Sequence, residues 1–155
     1  MRTTYRVLST LLPIGVVVQA ASIAFAMFQV AKEIDDGAVI DKNYVDSHSG
    51  SAGLGFAIHA IDGQMVIPLI ALLLLIVSFF AHVRGGVRLA AIAFGVVVLQ
   101  VVLAFASFGV PGIGFLHGMN ALAVFGVGIA AARAARTSGD GPVLPAQSTS
   151  ATAAV

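Results

Sequence analysis

Cysteine is absent from the 155 residues. That excludes disulfides, iron–sulfur clusters and thiolate metal sites, and leaves the redox compartment unmarked. Charge is nearly absent too: 10 % of residues are Asp, Glu, Lys or Arg, and the formal net charge is +1. A nucleic-acid partner is excluded on that ground, because phosphate binding needs a basic footprint. So little polar surface also excludes a soluble domain, which could not cover its own core.

What the chain has instead is apolar residues, 59 % of the total, with a mean hydropathy of +1.01. They fall into four runs, residues 7–31, 54–83, 89–108 and 110–132. Each has the roughly 20 residues that a membrane-spanning helix needs. The expected fold is an all-α integral membrane protein, a four-transmembrane-helix bundle over residues 1–136, in one domain. Residues 137–155 shift to Ser, Thr, Gly, Pro and Ala, and read as a disordered cytoplasmic tail.

Charge placement orients the bundle. Arg2, Arg6, Arg84, Arg88, Arg133 and Arg136 fall on one side of a four-span topology. On the other side Lys32 and Lys42 are outnumbered by Glu33, Asp35, Asp36, Asp41 and Asp46. The positive-inside rule then puts both termini in the cytoplasm and the chain in the cytoplasmic (inner) membrane. The first run continues to Val30 past the small-residue triplet Ala24-Phe25-Ala26, so it reads as an uncleaved span rather than a signal peptide. Pro68 is expected to kink the second span. His48, in the long polar loop after the first span, reads as a solvated side chain, and His82 as interfacial in a tight turn.

The apolar runs carry a few polar residues at matched places. GVVVQAASIAFAMF from Gly15 and GVVVLQVVLAFASF from Gly95 share Gln19 and Gln100. GFAIHAIDG from Gly55 and GFLHGMNA from Gly114 share His59 and His117, followed three residues on by Asp62 and Asn120. The pattern predicts two parallel helical-hairpin repeats about a pseudo-two-fold along the membrane normal. Gln19 and Gln100 read as interhelical hydrogen-bonding residues.

In such a bundle His59 and His117 enter at similar depth and face one another across the axis. Gly63 and Ala121 lie four residues on, small enough to leave room for a flat group. Two neutral imidazoles in an apolar bundle suit the axial positions of haem iron, with Asp62 and Asn120 orienting a ring nitrogen or reaching a propionate. His59 and His117 are thus the candidate metal ligands, and Asp62, Asn120, Gly63 and Ala121 the remaining candidate cofactor-binding residues. Zinc has too few ligands here, whereas a proton relay through His and Asp stays open.

At HAIDG and HGMNA the chain resembles a family of small uncharacterised bacterial four-helix membrane proteins and, more distantly, one half of heme A synthase. The resemblance implies His59 and His117 as axial haem ligands. It departs from those synthases in having no cysteine pair in the first outer loop, and Phe56 where they carry a carboxylate three residues before the first His. The expected role is therefore b-type haem binding for electron transfer or haem handling, with no catalytic residue assigned. The lipid bilayer and a membrane redox partner or second copy are the expected partners. The alternatives are a cofactor-free structural or accessory subunit and a small transporter.

Overall fold

The structure is a computed structural model that describes residues 1–41, 44 and 51–138. His48 and the tail from residue 139 onward lie outside the described residues. Among these, four helices are long and apolar enough to cross a bilayer, so the chain is a multi-pass, all-α membrane protein. The first span is α1 (Arg2–Asp35). The second comprises α2 (Ser51–Ile61), a π turn (Asp62–Val66) and α3 (Ile67–Ala81). The third and fourth are α4 (Gly86–Gly109) and α5 (Ile113–Thr137).

The helices overrun or stop short of the apolar runs for local reasons. α1 continues through its charged ends to Asp35. It stops at Gly37, whose φ of +94° is open to glycine, with the Gly37 and Ala38 amides bonding the Ile34 and Glu33 carbonyls. α3 ends at Ala81, ahead of the apolar run's end at Val83, because His82 turns left-handed (φ 52°) and Gly85 follows at φ 70°. Its side chain is exposed, with Nδ1 on the Phe80 carbonyl. Val110 does not open the fourth span: it is extended (φ −132°, ψ 91°), as the residue before Pro111 tends to be, and α5 starts at Ile113.

The irregularity ahead of Pro68 is a π turn, in which the Ile67 amide bonds the Asp62 carbonyl. Proline has no N–H, and its ring crowds the carbonyl four residues earlier. Widening the turn at residues 62–66 relieves both conditions and lets the helix resume at Ile67.

The spans form a ring in which each packs on its chain neighbours and the first closes on the fourth. Spans two and four are therefore diagonal. All six arginines lie at one end. The interior mixes small residues, among them Ala26, Ala71, Ala90, Ala93, Ala131, Ser9, Ser22 and Ser78, with the larger Leu12, Ile67, Leu74, Val97 and Val124. Other large side chains face outward, as with Phe108 at 85 % and Phe28 at 78 % exposure, which is how a chain behaves when its solvent is lipid. Contacts are close where glycine permits. A Cβ on Gly55 would meet the Ser22 carbonyl at 2.7 Å, and one on Gly128 would meet Pro13 Cδ at 2.7 Å. At the arginine end Tyr5 is buried and donates to the Gly86 carbonyl at 3.0 Å, tying the first span to the third.

Packing is uneven along the axis. No residue between Val97 and Val124 is buried, although both helices are well packed toward the arginine end. The segment α2 packs on α1, whereas α4 packs against α3. At the end away from the arginines, where the histidines lie, the third and fourth spans are thus less buried than the first and second, which meet closely at Gly55, Ser22 and Ala26.

Candidate functional site

α2 and α5 run in the same direction on opposite sides of the ring. His59 lies near the end of α2, and His117 one turn into α5. Both side chains are half-buried. The two rings meet across the axis with centroids 6.4 Å apart and planes at 62°. Two imidazoles bound to one metal ion by Nε2 bonds of about 2.0–2.1 Å would place their centroids about 6 Å apart.

Each histidine exchanges hydrogen bonds with a glutamine of its own hairpin. His59 Nδ1 lies 3.1 Å from the Gln19 carbonyl, and Gln19 Nε2 donates to the His59 carbonyl at 2.8 Å. His117 Nδ1 lies 3.1 Å from the Gln100 carbonyl, and Gln100 Nε2 donates to the His117 carbonyl at 3.0 Å. A carbonyl has no proton to give, so each Nδ1 carries the hydrogen and each Nε2 is left with the lone pair. A backbone carbonyl on Nδ1–H also fixes ring orientation and raises the basicity of Nε2, the usual support for a metal-ligating histidine.

Asp62 and Asn120 make no hydrogen bond to the imidazoles among the described residues. They hold the glutamines: Gln19 Nε2 donates to Asp62 Oδ2 at 3.0 Å, and Asn120 Nδ2 donates to Gln100 Oε1 at 2.7 Å and to the Val96 carbonyl at 2.8 Å. This exchange of donor and acceptor distinguishes the two hairpins. In the first, Asp62 draws the Gln19 amide group toward itself. In the second, Asn120 takes the Gln100 oxygen, so Gln100 Nε2 is free to approach His117 Nε2 at 3.2 Å. His117 Nε2 therefore accepts a hydrogen bond, whereas His59 Nε2 has no hydrogen-bond partner among the described residues.

Gly63 faces Gln19: a Cβ there would lie 3.0 Å from Oε1 and 3.3 Å from Nε2. Its smallness makes room for the carboxamide. Ala121 is half-buried on the corresponding turn of α5. Gln64 lies apart from the pair, on an outer groove that it lines with Pro68, Leu69, Leu72 and Val98. The residues that sequence reasoning left out of the site are Gln19 and Gln100. Their signal was a carboxamide at a matched place in each odd span. The described residues contain no group of three or more His, Asp and Glu side chains, so a multi-ligand protein cage for a metal ion does not form among them. The pair offers two imidazole nitrogens, His59 Nε2 and His117 Nε2, as lone-pair donors across the bundle.

Comparison with family models, with curated proteins and with solved structures finds no match to this chain.

Proposed function

We propose that the chain is a membrane haem protein in which His59 and His117 are the axial ligands of a b-type haem, serving electron transfer or haem handling. One observation carries the reading: both imidazoles are set as Nδ1–H tautomers by a backbone carbonyl, with their rings 6.4 Å apart across the bundle. When bound, haem supplies a one-electron redox couple. The chain's own residues orient the ligands and exclude water. Gln19 and Gln100 hold the histidines, Asp62 and Asn120 hold the glutamines, and Gly63 and Ala121 flank them. Were His117 to hold the haem, its Nε2 would give up the 3.2 Å contact with Gln100, whose Nε2 could keep its bond to the His117 carbonyl.

The matched Gln–His exchanges also support reading the hairpins as parallel repeats, and the likeness to one half of heme A synthase rests on the HAIDG and HGMNA motifs of the sequence. In this reading the arginine end lies in the cytoplasm with both termini, in the inner membrane, and His59 and His117 would hold the haem toward the outer face. A redox partner in the membrane or a second copy of the chain completes it.

A second reading, a cofactor-free accessory subunit, draws on the same contact: His117 Nε2 already accepts from Gln100, so the second hairpin is satisfied without a ligand. The visible spectrum of detergent-purified protein made with haem available separates the two. A low-spin b-type spectrum supports the haem protein, and a colourless protein supports the accessory subunit.

A further inference from the structure

At the arginine end a cleft of ≈ 380 Å³ opens between α1 and α5, lined by Arg6, Val7, Thr10, Leu11 and Arg136. It shares no residue with the histidine site. Its two guanidiniums come from different helices, and among the described residues neither has a carboxylate partner. The Thr10 hydroxyl already donates to the Arg6 carbonyl at 2.7 Å, which leaves the arginines as the unspent donors of the cleft. Val7 and Leu11, four residues apart on one face of α1 and both exposed, extend an apolar strip from the arginines toward the bilayer interior.

Guanidinium stays ionised and offers a planar fork of N–H donors that matches phosphate oxygens. Basic clefts between membrane helices at the headgroup level are suited to anionic lipids. Phosphate alone has no use for the apolar strip, whereas an acyl chain does. We propose that this cleft binds one anionic phospholipid, its phosphate held between Arg6 and Arg136 and an acyl chain laid along Val7 and Leu11.

The test is native mass spectrometry of the full chain purified in detergent and titrated with dioleoylphosphatidylglycerol. Variants are compared at equal helical content by circular dichroism. The wild-type chain should retain one lipid, and Arg6→Gln/Arg136→Gln should weaken retention about 30-fold, as loss of two surface cations implies. Arg6→Lys/Arg136→Lys should recover part of it, and Arg88→Gln should leave it unchanged. Equal retention of dioleoylphosphatidylcholine, or wild-type retention by the double Gln variant, would overturn the proposal. So would an equal loss in Arg88→Gln, which would mark a diffuse surface effect. Displacement of the lipid by millimolar inorganic phosphate would assign the cleft to a soluble anion instead.

Discussion

The imidazoles of His59 and His117 face each other at 6.4 Å although 58 residues and two helical reversals separate them in the chain. Their approach rests on two helices with no direct tie to one another, each fixed by a glutamine on its own hairpin partner. Removing either glutamine should therefore loosen one ring without touching the other. Gln19→Leu and Gln100→Leu should each destabilise the fold by about 1–2 kcal/mol, at roughly 0.6 kcal/mol per interhelical bond lost. Unfolding in mixed detergent with rising dodecyl sulfate measures this. A double variant no less stable than wild type would show that these bonds do not hold the hairpins.

The close glycines give a sharper contrast. Gly55→Leu and Gly128→Leu place side chains where the Ser22 carbonyl and Pro13 already stand, and should cost about 1–3 kcal/mol each. Gly118→Ala and Gly126→Ala meet nothing within 4 Å and should be close to neutral. The same unfolding assay ranks all four, and equal effects across the set would contradict the packing described.

Much of this was legible in the chain and some was not, for definable reasons. Four spans follow from apolar runs too long for any other use. The facing of His59 and His117 follows from a matched pattern of polar residues that chance does not readily produce. Which neighbour each polar side chain meets depends on how the helices are rotated, and hydropathy is blind to that. So Gln19 and Gln100 read as interhelical hydrogen-bonding residues without a named partner, and Asp62 and Asn120 as groups that orient a ring nitrogen or reach a propionate. The structure gives the glutamines to the histidines and the acid and amide to the glutamines. The π turn was hidden because the effect of Pro68 is felt four residues upstream, and Val110 was misplaced because its apolar side chain concealed the backbone demand of Pro111.

Orientation is open to direct measurement. Reporter fusions at Gly37 and Gly112 should report the outer side, and fusions at Gly85 and Ser138 the cytoplasm, as six arginines at one end require. A cytoplasmic signal from Gly37 would invert the account of which face the histidines approach.

Asp62 offers a test of how the first hairpin leaves His59 free. Asp62→Asn gives that hairpin the chemistry of the second: an amide can donate to Gln19 Oε1 and turn Gln19 Nε2 toward His59 Nε2, as Gln100 turns toward His117. The variant should keep a low-spin spectrum but bind haem several-fold more weakly, in the manner of changes one shell beyond a ligand. Haem transfer to apomyoglobin measures the difference. Unaltered transfer kinetics would show that the carboxylate has no part in exposing His59.

The central claim is that His59 and His117 together ligate one haem, and the reduced-minus-oxidised visible spectrum of the purified protein and its variants tests it most directly. Wild-type protein should show a sharp low-spin b-type band on reduction. His59→Ala and His117→Ala should each abolish that spectrum or convert it to high spin, because one haem needs both axial bonds. A colourless wild-type protein after haem supplementation, or a low-spin spectrum that survives either substitution, would contradict the account.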